Sequence, residues 1–331
     1  MKRPTLEAVA ARAGVSRATV SRVVNGQATV TPEIRDAVIR AVNELGYVPN
    51  SAARSLVTQR TDSIALVVSE PPTRVFSEDP LFSTVIRTAS RELEAADKQV
   101  VLMLAGNAQS HARVERYIAG GHVDGVMLIS MHGADPLPAA ITRMGVPVVS
   151  YGRPAVAVDL PYADNDNVGG AESAVRRLLD TGRRRIATIA GPLDMIAGQD
   201  RLTGYRNVLR DSDRRSIVAI GDFTRESGAV AMRQLLEDDP KLDAVFAAND
   251  LMAIGALQAL RQAGRRVPDD VSIVGFDDIE AARYTEPPLT TMRHPIVEQA
   301  TAMVRLLLTP PAERDRDQVI LPTELVVRES G

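Results

Sequence analysis

Apolar residues in the first 46 positions recur at helical spacing in three short runs, and beyond residue 60 they condense into near-continuous blocks. In the first run Val9, Ala10 and Ala13 give a small apolar face, with Thr5 as N-cap and Gly14 permitting a sharp turn. Ser16 then caps a second run to about Asn25, in which Val20 and Val24 face one way and Arg17, Ala18, Ser21 and Arg22 the other. Thr31-Pro32-Glu33 starts the third with a hydroxyl cap, a proline and an acid against the helix dipole. Its stripe is Ile34, Val38, Val42 and Leu45, and Gly46 ends it. The later blocks predict strands at 63–69, 99–105, 124–130 and 147–152, then at 185–191, 216–222, 243–250 and 271–278. Amphipathic segments separate them, near 82–97, 109–120 and 136–144 in the first series. The alternation predicts an α/β fold: a three-helix head, then two open parallel sheets. HVDGV at 122–126 and KLDAV at 241–245 both lead into strands, an internal echo of two similar halves.

Charge divides the chain at the same place. The net charge is -3, but residues 1–60 carry nine Lys/Arg against four Asp/Glu, and the remainder 30 against 38. A basic head on an acidic body fits a protein that meets phosphate only through its N-terminus. The first two helices have the layout of a helix-turn-helix reader, one face packed and one presenting donors to a major groove. The plain alternative is a helical hairpin with a solvated basic face. Arg17 and Arg22 are the side chains best able to specify guanine, and Ala18 leaves room or touches a thymine methyl. Thr5, Ser16, Thr19, Ser21 and Asn25 either bind phosphate or cap and pack the helices.

Other chemistries find little support. With no cysteine there is no disulfide framework or thiolate chemistry. His111, His122, His132 and His294 lack metal-ligand spacing, no GxGxxG follows the first strand, and no nucleophile–base set stands out. No enzyme, metal or cofactor is expected. No apolar run of membrane length and no signal-type N-terminus occur, so a cytoplasmic protein is expected rather than a secreted binding protein or a membrane partner.

The runs AVAARAGVS (8–16), TVSRVVNG (19–26), ELGYVPN (44–50) and the alanine-rich SAARSLV (51–57) resemble the lactose/galactose repressor family of bacterial transcription regulators. The resemblance implies a DNA-binding domain at 1–49, a hinge at 50–60 and a two-lobed, periplasmic-binding-protein-like body at 61–331. It implies chain crossings near 160, 290 and 319. Lobe one is then about 61–161 with 291–318, and lobe two about 162–290 with 319–331. Asn50 caps a short hinge helix, Ala52 and Ala53 are small enough for two such helices to pack, and Leu56 matches the family's minor-groove wedge. The strand VILPTELVV (319–327) nearly ends the chain without the leucine heptads of tetrameric members. A homodimer on palindromic operator DNA is therefore expected.

Ligands of open α/β sheets bind at the carboxyl ends of strands. The polar residues there are Ser69-Glu70, Gly152-Arg153, Asp222, Asn249-Asp250 and Asp277-Asp278. By resemblance, Arg201, Asn249 and Asp277 hold a small-molecule effector and Phe223 stacks on it. Arg153 and Ser69 join them, and Phe76, Leu81 and Phe82 wall the first-lobe side. Helix capping is the alternative role for the Asn249-Asp250 and Asp277-Asp278 pairs. Many sugar-responsive members carry Asp where Gly152 stands, so one carboxylate is expected to be missing and the space larger. RTDSIALVVSE, AGPLDMIAG and GDFTRESG look like the actinobacterial cellulose-utilisation branch, whose members sense cello-oligosaccharides. Release from DNA by a mono- or oligosaccharide is expected, with a purine-type corepressor as the alternative.

Overall fold

The computed structural model describes residues 4–24, 30–48, 60–133, 135–155 and 158–331. The expectations for Asn25, for the hinge at 50–59 and for Asn50, Ala53 and Leu56 within it lie outside the described residues. The chain divides into two units, Met1–Thr61 and Asp62–Gly331.

The head contains α1 (Leu6–Ala13), α2 (Arg17–Val24) and α3 (Pro32–Leu45). Thr5 caps α1 by accepting from the Ala8 N–H at 3.3 Å, and Gly14 ends it in the left-handed conformation at φ +68°. Ser16 caps α2, accepting from the Thr19 N–H at 3.1 Å. The expected hydroxyl cap at Thr31 does not form: its side chain makes no capping hydrogen bond. Val9, Val20, Val38, Ala41 and Tyr47 close the small core.

The body holds two six-stranded sheets. The first contains β1 (Ser63–Val68), β2 (Gln99–Leu104), β3 (Gly125–Ile129), β4 (Val148–Tyr151), β5 (Tyr162–Asn165) and β11 (Gln318–Leu321), ordered β11-β5-β4-β3-β1-β2 and wholly parallel. Alternate residues of β1 feed opposite cores, as strand geometry requires. Leu66 and Val68 pack under α4 (Pro80–Glu94) and α11 (Ile296–Leu308), while Ala65 and Val67 pack under α5 (Ala108–Ala119) and α6 (Leu137–Arg143). The second sheet contains β6 (Ile186–Ala190), β7 (Ile217–Ile220), β8 (Ala244–Ala247), β9 (Ser272–Asp277), β10 (Thr290–Arg293) and β12 (Glu324–Val326), ordered β12-β10-β9-β8-β6-β7. Only β12 runs antiparallel to its neighbour. Phe246 and Phe276 face α7 (Asn167–Asp180) and α8 (Ile196–Asp211), and Val245 and Ile273 face α9 (Arg225–Asp238) and α10 (Asp250–Gln262).

The crossings fall three to four residues later than expected. β5 still belongs to the first sheet, β10 to the second, and the expected single strand 319–327 is two strands in different sheets. Pro322 stands between β11 and β12 and cannot donate to a ladder, which separates them. Lobe one therefore runs through Asn165 and takes Gln318–Leu321, and lobe two keeps Thr290–Arg293. Among the described residues no helix is long and apolar enough to cross a membrane.

α9 and α10 touch through glycine. A β-carbon on Gly228 would overlap the Met252 backbone, and one on Gly255 the Arg225 carbonyl. Gly228→Ala is expected to destabilise the body by about 1–3 kcal/mol through overpacking, read as a lowered urea midpoint with an unchanged slope.

Candidate functional site

In the head, Arg17, Ala18 and Arg22 are exposed on α2, and Thr19 and Ser21 are half-buried. The Thr19 hydroxyl meets that of Ser16 at 2.9 Å, so both serve the helix start. Arg17 Nε lies 3.2 Å from the Glu7 carboxylate, a partner the sequence did not suggest. Both side chains are largely exposed, so the pair is weak enough for a better acceptor to displace it.

In the body, strand ends from both lobes meet in a cleft of about 120 Å³. From lobe one it is lined by Arg74, Asp79, Leu81, Phe82, Tyr151, Arg153 and Asp164, and from lobe two by Met195, Arg201, Phe223, Asn249 and Asp277. A wider groove of about 680 Å³ adjoins it, sharing Arg74, Asp79 and Phe223. Backbone strain gathers here: Ser130, Phe223, Asp277 and Asp278, each at or just beyond a strand end, have φ of +57°, +69°, +117° and +55°.

Arg201 is 4% exposed. Its Nε donates to Asn167 Oδ1 at 2.9 Å, and Nη1 donates to the Ala248 carbonyl at 2.6 Å and reaches Asp277 Oδ1 at 3.5 Å. The guanidinium lies 3.7 Å from the Phe276 ring centroid. Burial pushes its pKa below the usual arginine range, against the pull of Asp277. Phe223 is buried with its ring against Gly191, where a β-carbon would not fit. Asn249 lines the cleft, yet both ends of its amide are used: Oδ1 accepts from the Met252 N–H and Nδ2 donates to the Phe223 carbonyl. It caps α10 and orients the aromatic wall.

Two expected residues are absent from the cleft lining. Phe76 is 65% exposed, turned outward by a π-helical turn at Arg74–Glu78. Ser69 donates to Asp135 at 2.8 Å, which holds it away from the cleft. Asp250 and Asp278 are structural. Asp250 is fully buried and accepts from Thr291 and the Ile279 N–H, while Asp278 pairs with Arg293 and Arg328. The carboxylate expected to be missing beside Gly152 is supplied from β5. Asp164 Oδ1 lies 4.0 Å from where a Gly152 β-carbon would be, and Oδ2 accepts from the Arg153 N–H at 3.1 Å. Asp164 and His294 were missed because β5 and β10 lack apolar runs, and Asp79 because it reads as an ordinary cap of α4; Tyr151 on β4 and Gln299 on α11 also line the cleft and were not anticipated.

Polar contacts join the lobes. Arg153 Nη2 donates to Asp200 on α8. His132 Nδ1 lies 3.0 Å from Asp194 across the cleft and Nε2 lies 3.1 Å from Glu70 in its own lobe, which together raise its pKa above the usual value. The Gly133 N–H donates to the Asp194 carbonyl at 2.7 Å.

A two-lobed body with a polar interlobe cleft, preceded by a helix-turn-helix head, defines a ligand-sensing transcription regulator. Residues 5–50 match the family described as bacterial regulatory proteins, lacI family, and 175–331 match the periplasmic binding protein-like domain. The chain is 49% identical over 337 aligned positions to the HTH-type transcriptional regulator CelR of Thermobifida fusca, covering 100% of this chain and 99% of that one. It belongs to the lacI family. Among solved structures, a transcriptional regulator CelR–cellobiose complex aligns at 47% identity with a TM-score of 0.79, covering 99% of this chain and 100% of that one. The lac repressor dimer bound to operator and the anti-inducer ONPF aligns at 27% identity with a TM-score of 0.88, covering 99% of each.

Two outcomes are expected. Arg17→Ala should cost about 1–3 kcal/mol of operator affinity and relax preference at one base per half-site, as read by selection from random duplexes; half-sites without guanine dependence would refute that role. The second concerns Asp79, whose pKa is raised to about 6, first by burial and then by Asp277. Its protonation stabilises the fold fully below the unfolded value near 3.8, and that contribution is lost as pH rises through about 6. Wild type relative to Asp79→Asn should therefore lose up to about 3 kcal/mol between pH 4 and 7 in chemical unfolding, and parallel pH profiles would contradict it.

Proposed function

We propose that this chain is a dimeric repressor of sugar-utilisation genes, working in the cytoplasm and released from a palindromic operator by a cellobiose-like saccharide. The cleft carries the reading: Arg201 and Asp277 from lobe two face Asp79 and Asp164 from lobe one, with the Phe223 ring as wall. Fixed planar polar groups beside an aromatic face suit hydroxyl pairs and the apolar face of a pyranose. The likeness to CelR, whose solved complex contains cellobiose, supports that class of ligand. A disaccharide needs more room than 120 Å³, and the adjoining groove extends the space toward the size of ordinary small-molecule sites, roughly 300–1,000 Å³.

On DNA, α2 lies in the major groove with Arg17 and Arg22 reading bases and Ala18 allowing close approach. Thr5, Ser16, Thr19, Ser21 and Asn25 position the head on phosphates or keep its helices capped. Asn50, Ala53 and Leu56 form the minor-groove hinge. Within the cleft, Arg201, Asp277, Phe82 and Phe223 touch the effector, Asn249 holds Phe223 in place, and Arg153 closes over the ligand. The protein senses its ligand and does not transform it.

Titration calorimetry with cellobiose, alongside operator binding by fluorescence anisotropy, tests the proposal. Asp277→Ala should weaken cellobiose by about ten- to a hundredfold, the loss of a charged hydrogen-bond partner. Sugar-induced release should then vanish, with operator affinity kept because the head is a separate unit. Equal cellobiose affinity in both proteins would remove Asp277 from the site. A saccharide that tightens operator binding would make the protein corepressed.

A further inference from the structure

The geometry points to His294 as a direct effector ligand that accepts a hydrogen bond from one ligand hydroxyl, shared with Asp277; this rests on the saccharide reading above. His294 is 6% exposed, lines the cleft, and sits on the crossing segment between β10 and α11. Its two ring nitrogens have opposite circumstances. Nε2 lies 2.6 Å from Gln299 Oε1 and 3.2 Å from the Tyr151 hydroxyl, both in lobe one. Nδ1 is buried with no hydrogen-bond partner among the described residues. The nearest polar atom the structure gives it is Asp277 Oδ1, 3.5 Å away in lobe two.

The proton's place follows from the neighbours. Gln299 Nε2 donates to the Ala163 carbonyl at 2.8 Å, which fixes that amide with its oxygen toward the ring. An amide oxygen only accepts, so the imidazole Nε2 carries the hydrogen and, in the neutral ring, Nδ1 presents a lone pair. A lone pair and a carboxylate oxygen then stand 3.5 Å apart, and two acceptors cannot satisfy each other. With the ring neutral, an outside donor completes the arrangement, and a saccharide hydroxyl supplies one proton while its oxygen can accept from Arg201. A buried acceptor left unmet is costly, so this point discriminates hydroxyl from deoxy or fluoro substituents. Since Nε2 is held by lobe one and Asp277 by lobe two, the same hydroxyl ties the lobes together.

Asparagine keeps a polar atom near the place of Nδ1, whereas glutamine reaches only the place of Nε2. Cellobiose titration should therefore find His294→Asn within about threefold of wild type and His294→Gln weakened about tenfold or more. Equal affinities in all three proteins, or equal losses in both variants, overturn the assignment. Two-bond ¹H–¹⁵N correlation of the His294 ring in the sugar-free protein should show the hydrogen on Nε2 alone; a doubly protonated ring or a hydrogen on Nδ1 also overturns it. If wild type ignores cellobiose, the saccharide reading fails, and the ring measurement still decides whether Nδ1 awaits a donor.

Discussion

The sensing body depends on one buried charge, the guanidinium of Arg201. Leaving it unpaired in so dry a place would cost several kcal/mol. Its partners come from separate parts of lobe two: Asn167 at the start of α7, the carbonyl of Ala248 after β8, and the ring of Phe276 and carboxylate of Asp277 on β9. The charge is satisfied only when all are in place, so assembling the second sheet and building the cleft floor are one event. Asn249 extends the same logic by fixing Phe223 through its backbone carbonyl. The ligand wall is thus set before any ligand arrives.

Lobe one adds groups at places fixed by the crossings. Because the chain passes between sheets after Asn165, after Arg293 and after Leu321, the short strands beside those passages end at the cleft. Asp164 stands on one passage and His294 on another. Neither strand needs a long apolar run, since each lies toward an edge of its sheet. Their polar residues are therefore free to serve the site.

That explains what was legible in the sequence and what was not. Most of the head was readable because its signals are local: Thr5, Gly14 and Ser16 act within four positions of themselves, whereas the hydroxyl cap expected at Thr31 does not form. The eight apolar strands were readable because burial on both faces demands apolar runs. YADN and TTMR carry no such signature, so β5 and β10 went unseen, and with them Asp164 and His294. Phe76 misled because an aromatic residue ahead of a helix reads as a wall, while a π-turn rotates it outward. Gly152 misled differently: a carboxylate lost from one strand returned from its neighbour in space, which a linear pattern does not record.

The two lobes attract and repel at once. Arg153 with Asp200 is an ion pair between the lobes, and the His132 ring meets the Asp194 carboxylate between them as well. Asp79 and Asp277 are carboxylates from opposite lobes, and Asp277 adds to burial in pushing Asp79 toward its neutral form. This arrangement gains the first pairs and suffers the second. On the proposed reading a neutral polyol shifts that balance, because its hydroxyls donate to two carboxylates that repel each other across the cleft. Swinging a two-state equilibrium from 1:99 to 99:1 requires about 5.5 kcal/mol of differential affinity. A few charge-assisted hydrogen bonds of roughly 1.5–3 kcal/mol each supply that much. On the proposed reading, the carboxylates placed in opposition across the cleft are the groups a hydroxyl-rich ligand acts on, since its hydroxyls donate where the carboxylates repel each other.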